Sequence, residues 1–463
     1  MIEPDIEMTA VAAAASPALA QVSALRQAVH TVGVRSLTLV CRFALVVVIT
    51  RALSAADYGA YSLVTTIASF GVFVCGLNLS TFVYRVVPGQ PKARQLRILK
   101  TTFLFEVTLT VAVVLLFLVS GQLPAVLRYL NADGYRTTFM LGLVLMVLLV
   151  ANAELTNFFQ AQTRLERSNW VDFLGQAAWI LPLLAVRAGG VQITLVGLLV
   201  MQLSGGFGAV AYAVRHIGLR AWRRARADWS VLPRALAFSV PLIVPTMGVS
   251  SVRFADRLIL SHYRSVADVG VYAFAAVFIN TLYSFTAGII STTFGPRIFA
   301  AHNRGDYAQR DVLQTYMLKT AVVCFAVPYI ALCLGARPLI SLLARPDYLR
   351  AVGVLPLVGL SSLVLIVGYP ANFMLTLQNR VVLLAGIDVV GMLVGLTANF
   401  VLIPRYSYFG AAAAGALGLT ITAALQYVCS RTWMHIRLDL IFSAHEEISV
   451  LRRCVQLVRE VIA

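Results

Sequence analysis

The feature that most limits how this chain can fold is its run of long, unbroken apolar segments. A helix crossing the hydrocarbon core of a bilayer needs about 20 mostly apolar residues. Twelve segments qualify: 32–50, 59–84, 101–120, 137–159, 170–186, 191–214, 235–261, 269–295, 313–335, 351–377, 382–403 and 410–430. In lipid only helices and closed barrels satisfy every backbone polar group, and runs of this length read as helices. The mean hydropathy of +0.83 and a charged fraction of 12% agree, since soluble domains carry about 25% charged residues. The expected fold is an all-α polytopic membrane protein with about twelve transmembrane helices. A soluble domain, a disordered chain and a coiled coil are excluded.

The net charge of +17 would suggest nucleic-acid binding in a soluble protein. Dividing it among the loops gives another meaning. With both termini in the cytoplasm, the inside segments hold 23 Lys/Arg and the outside loops 9. That bias fits the positive-inside rule, so the basic excess reports topology and no nucleic acid is expected. Residues 1–31 form an N-terminal cytoplasmic tail becoming an amphipathic helix. Ala18-Leu19-Ala20 mimics a cleavage site, but Glu3, Asp5 and Glu7 stand where a signal peptide needs positive charge. An N-lobe of six spans follows (32–214), then a basic cytoplasmic linker (215–234) holding Arg220, Arg223, Arg224 and Arg226. A C-lobe of six more spans (235–430) and a cytoplasmic C-terminal tail (431–463) complete the chain. In the tail, Ser443 and Glu446 form a capping box. Ile448, Leu451, Val455, Val458 and Ile462 make an apolar stripe suited to an anionic membrane surface.

The six cysteines and six histidines show no metal-ligand spacing. No metal or cofactor is expected.

The two halves repeat. At an offset of 211, residues 42–61 and 253–272 share eight of twenty identities. These include Arg42/Arg253, Asp57/Asp268, Gly59/Gly270 and Tyr61/Tyr272, and Ser80-Thr81 matches Ser291-Thr292 at the same offset. Six spans separate the copies, so both enter the membrane from the same side and the lobes are parallel repeats, an arrangement transporters use for alternating access. The Asp-x-Gly-x-Tyr element reads as turn chemistry: a polar turn, a glycine for chain reversal and an interfacial tyrosine.

The stretch Thr50-Arg51-Ala52-Leu53-Ser54-Ala55-Ala56-Asp57-Tyr58-Gly59-Ala60-Tyr61 resembles the first-loop signature of the Wzx-like lipid-linked oligosaccharide flippases, polysaccharide-biosynthesis proteins of the MOP superfamily related to MATE and MurJ-type transporters. Ala255-Asp256-Arg257-Leu258-Ile259-Leu260 with Val269-Gly270-Val271-Tyr272 resembles their seventh and eighth spans. Length, span number and topology agree over nearly the whole chain. The resemblance implies two six-helix lobes around a central cavity in the cell inner membrane. It also implies transfer of an undecaprenyl-pyrophosphate-linked glycan from the cytoplasmic to the outer leaflet. Membrane lipids and a glycan polymerase or export machinery are the expected partners.

An ionisable side chain in hydrocarbon costs roughly 2.5–3.5 kcal/mol on insertion scales, so each needs a reason. Ten lie in the predicted spans. Arg35 and Arg42 are seven residues apart, and Arg253 and Arg257 four apart, so each pair shares a helix face. Arginine suits a pyrophosphate because its fork donates two parallel hydrogen bonds and stays charged. The competing role is pairing with buried acids between helices. Asp256 is three residues from Arg253 and can pair with it; Asp256 and Glu154 are also candidates for ion coupling. Glu106, Asp172, Lys319 and Asp388 lie near predicted span ends, where snorkelling accounts for them. Pro241 and Pro245 break the seventh span, Pro182, Pro328, Pro356 and Pro370 interrupt others, and Gly391 with Gly395 makes a G-x-x-x-G pair in the eleventh.

Two other functions compete. A MATE-type cation-coupled antiporter needs a cavity dominated by acids, for which Asp256 and Glu154 are the candidates. A membrane enzyme needs an elaborated external loop, yet 121–136 and 336–350 are short and hold one acid each, Asp133 and Asp347.

Overall fold

The computed structural model describes residues 17–434, with the side chains of 17–29, 32, 244–253 and 292 left out. The start of the N-terminal tail and the proposed C-terminal surface helix lie outside the described residues. Every described element is helical, and the chain divides into two compact units.

The first unit runs to Met247 and includes Leu343–Arg345. It contains α1 (Pro17–Ala52), α2 (Ala55–Cys75), α3 (Leu79–Val86), α4 (Lys92–Val119), α5 (Leu123–Tyr129), α6 (Arg136–Ala161), α7 (Leu165–Gln176), α8 (Ile180–Ala188), α9 (Leu195–Ile217), α10 (Leu219–Arg224) and α11 (Leu232–Ser239). Its core joins Leu79, Phe82 and Val83 to Leu99, Leu155 and Phe158. The basic linker is fastened to α4. Lys100 Nζ donates to Trp222 O at 3.1 Å and Ala225 O at 2.8 Å, and Asp228 N donates to Thr101 Oγ1 at 2.7 Å.

The second unit takes in Gly248–Leu342 and everything from Pro346. Helix α12 (Ile243–Tyr263) leads into it, followed by α13 (Val266–Thr293), α14 (Gly295–Asn303), α15 (Tyr307–Leu334), α16 (Ala336–Leu343), α17 (Ala351–Leu377) and α18 (Val381–Ser430). Tyr348 is fully buried, its ring 4.9 Å from that of Phe274.

Ten of the described helices are long and apolar enough to cross a membrane. Two features relate these to the twelve predicted spans. The eleventh and twelfth run together as α18, which breaks at Ser407, whose φ of 53° is left-handed. The seventh is interrupted: α11 gives way to a 3-10 turn at Val240–Leu242 before α12 begins. Pro241 lacks a donor and crowds the preceding turn. The fifth span is also broken, between Gln176 and Ile180 and ahead of Pro182. Leu116, Val119, Leu334 and Val382 stand 71–88% exposed, as lipid-facing side chains do.

The first turn of each half is a helix cap. Ser54 Oγ accepts from Asp57 N at 3.1 Å and donates to Asp57 Oδ2 at 2.7 Å. Ser265 makes the same pair of bonds with Asp268, at 3.1 and 3.0 Å. The second carboxylate oxygen then secures the start of each half's fourth long helix. Tyr135 donates to Asp57 at 3.3 Å, and Arg350 donates to Asp268 at 2.8 Å. Turn chemistry therefore accounts for both aspartates, but the glycine and tyrosine readings need correction. Gly59 and Gly270 are buried inside α2 and α13 with helical backbone, because the chain reverses at Ser54 and Ser265, whose extended conformations start the helices. Tyr272 is not interfacial: it is 6% exposed and bonded within the unit. Losing an N-cap hydroxyl costs about 1 kcal/mol. Ser54→Ala and Ser265→Ala are each expected to lower the thermal midpoint of the purified protein by a few degrees, more than Ser120→Ala at an exposed helix end.

Candidate substrate-binding site

In the first unit, Arg35 and Arg42 sit one above the other on α1 and both are exposed. Helix α1 is held against α7 by Val34, Phe173 and Ala177, and by Asn169 Nδ2 donating to Thr31 Oγ1 at 3.1 Å. This packing brings Asp172 of α7 into the field of both arginines, Arg42 more strongly. Asp172 also accepts a close hydrogen bond from Gln176, one turn on. From α2, Tyr61 feels the charge of Arg42, lies beside Gln202 of α9, and stacks on Tyr58 with centroids 6.1 Å apart.

Among the described residues neither Arg35 nor Arg42 forms an ion pair. Asp172 offsets their charge from a distance, and the guanidinium donors are not engaged by a carboxylate. Arg42, Tyr61, Asp172, Gln176 and Gln202 thus make one polar face built from four helices. It can bind an anion through Arg42 while Tyr61 and Gln202 offer neutral hydrogen bonds. Tyr61 and Gln202 escaped the sequence reading, which weighed charged residues alone. The Tyr61 signal was available in the repeat motif.

In the second unit, Arg253 lies on α12 but its side chain is outside the described residues, so its pairing with Asp256 lies outside them too. Arg257 is half-buried on the same helix. Asp256 is buried at 4% exposure and accepts from Tyr272 Oη at 2.5 Å. The motif tyrosines therefore do parallel jobs: each reaches toward the first long helix of its own half, Tyr61 near Arg42 and Tyr272 onto Asp256.

The other intramembrane acids do not all snorkel. Glu106 is 2% exposed and Glu154 fully buried. Glu106 lies within reach of Glu154's charge, and Glu154 contacts the Thr102 hydroxyl. Distance from a span end misleads for Glu106 because the helix face, not the depth, decides burial, and this face of α4 packs on α6. Asp388 accepts from Gln426 at 3.2 Å. Among the described residues no group of three or more metal-ligating side chains exists.

The fold and the polar face define a class. The chain has the architecture of MOP-superfamily membrane transporters. Lipid II flippase MurJ in an inward closed conformation superposes with a TM-score of 0.71 at 11% identity, covering 90% of this chain and 89% of that one. An inward-facing multidrug resistance MATE family transporter of the MOP superfamily gives 0.68 at 13% identity, covering 85% and 94%. A MOP superfamily transporter from Pyrococcus furiosus, described as having a binding pocket of reverse polarity, gives 0.54 at 13% identity, covering 87% and 92%. No curated protein sequence matches the chain. The pattern of the family described as "Polysaccharide biosynthesis protein" matches residues 24–302, and the chain belongs to that family. It is a multi-pass membrane protein with the fold of those transporters.

Proposed function

We propose that the protein is a flippase that carries an undecaprenyl-pyrophosphate-linked oligosaccharide from the cytoplasmic to the outer leaflet of the inner membrane, by alternating access, for surface or exopolysaccharide assembly. Both termini are cytoplasmic in this reading, no bond of the glycan is made or broken, and a glycan polymerase or export complex receives the product. The observation that carries it is the exposed Arg35–Arg42 pair, free of ion pairing among the described residues, on the first helix of a chain whose family serves polysaccharide biosynthesis. Two forked cations on one face match a pyrophosphate. Arg253 and Arg257 are the proposed counterparts in the second half.

The test is deletion of the gene in its native host. Lipid-linked glycan should accumulate facing the cytoplasm, surface polysaccharide should vanish, and the gene supplied in trans should restore it. Unchanged surface polysaccharide in the deletion strain would sink the reading. A MATE-type antiporter is the second reading, favoured by the buried acids Glu154 and Asp256. Export of a cationic dye, abolished by Asp256→Asn, would select it.

A further inference from the structure

Helix α4 carries a polar stripe at four-residue spacing: Thr102, Glu106 and Thr110. All three are buried, with Thr102 and Thr110 at 0% and Glu106 at 2% exposure. Residues four apart share a helix face, so the stripe runs along one side of α4. Helix α6 answers it with the fully buried Glu154. At the far end, Thr110 lies beside Cys75 of α2. At the near end, Thr101 is bonded to the backbone of the basic linker. The substrate-binding face uses none of these groups, and of them only Glu154 stood among the coupling candidates.

Two carboxyl groups are buried in this core, Glu106 within reach of Glu154's charge. Among the described residues neither Glu106 nor Glu154 has an Arg, Lys or His partner. Helix α2 presents Cys75 and Gly76 to the pair, and α4 itself presents Thr102 and Thr110. From α3, α7 and α9 the adjoining core receives apolar residues, including Leu79, Phe82, Val171 and Ala213, and α7 also buries the neutral Ser168 and Asn169.

Hydrogen-bond bookkeeping at Thr102 points to the occupant. Its Oγ1 lies 3.2 Å from both Ile98 O and Leu99 O, each an acceptor only. A hydroxyl has one proton, and the shortest of its contacts takes it. Thr102 also makes a close contact with Glu154 Oε1. Thr102 is the donor in that contact, so Glu154 Oε1 has its partner. The second oxygen, Glu154 Oε2, is buried with no hydrogen-bond partner. An ionised carboxylate stranded this way costs several kcal/mol or more, whereas a neutral acid costs far less.

We propose that Glu106 and Glu154 form a proton-binding site inside the first unit, holding one exchangeable proton on one of two neighbouring carboxyl groups, which serves as the coupling ion for transport. The proton leaves one carboxylic acid as H⁺ and a carboxylate remains, with Thr102 as the neutral hydrogen-bonding neighbour. The proton site stands on the burial of both acids and the unpartnered Glu154 Oε2; its coupling role rests on the flippase reading above.

Infrared difference spectroscopy of the purified protein in lipid nanodiscs, stepped in pH, reads protonated carboxyl groups directly. We expect a titrating carboxylic-acid band that shifts in D₂O and is lost in Glu154→Gln. In Glu106→Gln its midpoint should move by about one pH unit, since a neighbouring like charge shifts a carboxyl by that order. Thr102→Val keeps both acids and should move the band's frequency without removing it, which preserves a readout if either glutamine variant fails to fold. A band unchanged in all three variants overturns the proposal. So does a band erased by Na⁺ at fixed pH, which would assign the site to a metal cation. The coupling role is read in proteoliposomes by following an undecaprenyl-pyrophosphate-linked N-acetylhexosamine under an imposed pH gradient. Gradient-driven transfer at least tenfold faster than without it, lost in both glutamine variants, supports coupling, and wild-type transfer indifferent to the gradient overturns it. Absence of any wild-type transfer, with the band still titrating, refutes the flippase reading while leaving the proton site in place.

Discussion

Arg42→Ala is expected to slow transfer of the lipid-linked glycan by roughly a hundred-fold. Removing one partner of a desolvated, charge-assisted hydrogen-bonded pair costs about 2–5 kcal/mol, and each 1.4 kcal/mol is a factor of ten. Arg42 is the guanidinium best placed to deliver that effect, because it sits among Tyr61, Asp172 and Gln202 yet is not consumed by an ion pair among the described residues. Arg42→Lys keeps the charge but loses the planar fork, so it should fall between wild type and alanine. Arg35→Ala, lacking the tyrosine and glutamine neighbours, should cost less. Asp172→Asn separates binding from scaffolding. If Arg42 serves mainly to steady Asp172, removing the acid's charge reproduces the Arg42→Ala defect; if Arg42 grips the pyrophosphate, Asp172→Asn stays near wild type. The measurement is the initial rate of surface glycan appearance after pulse labelling. Normal rates in an Arg42→Ala, Arg253→Ala double variant would end the assignment.

The contrast between Arg42 and Glu106 shows what the sequence can and cannot disclose. Long apolar runs specify helices and lipid burial through length and composition alone, so the all-α membrane architecture was legible. The repeat was legible too, because Arg, Asp and Gly at a fixed offset do not arise from apolar composition. Its aspartates turned out to be cap residues, as local polar chemistry at a turn implies. The failures share one cause. In a helix apolar all round, the sequence does not say which face meets protein and which meets lipid, because both environments select the same side chains. Glu106 therefore looked like a residue near a membrane surface, although its face of α4 is sealed against α6. Tyr272 looked interfacial for the same reason. A signal existed in each case: Thr102, Glu106 and Thr110 recur at helical spacing, and Tyr272 falls 16 residues after the acid it binds. Tyr61 and Gln202 were harder to see, since neutral polar residues scattered among apolar ones announce nothing until α2 and α9 are brought beside α1.

The G-x-x-x-G pair gives the largest expected effect on folding. Gly391 and Gly395, before the break at Ser407, approach Gly418 after it, backbone to backbone. A Cβ on Gly418 would meet Gly391 O at 2.8 Å and Gly395 Cα at 3.0 Å. A Cβ on Gly391 would fall 1.8 Å from Thr422 Oγ1 and 3.0 Å from Gly418 O. Backbone atoms cannot rotate aside as a flexible side chain does, so any substituent must push the two segments of α18 apart. Membrane helices have little hydrophobic drive to re-associate once separated, because lipid is as apolar as leucine; close packing between small residues is what holds them. Overpacking costs about 1–3 kcal/mol in well-packed cores, and here no neighbour can yield, so Gly418→Leu belongs at or above the upper end. It should lower the thermal midpoint of the detergent-solubilised protein by several degrees or prevent recovery of a monodisperse peak. Gly415→Ala, three residues earlier with open space at its Cβ, is the control and should leave the midpoint unchanged or slightly raised by its better helix propensity. Equal stability of Gly418→Leu and Gly415→Ala would mean that the two segments do not touch along this seam, and that the break at Ser407 folds the chain back with some other face inward.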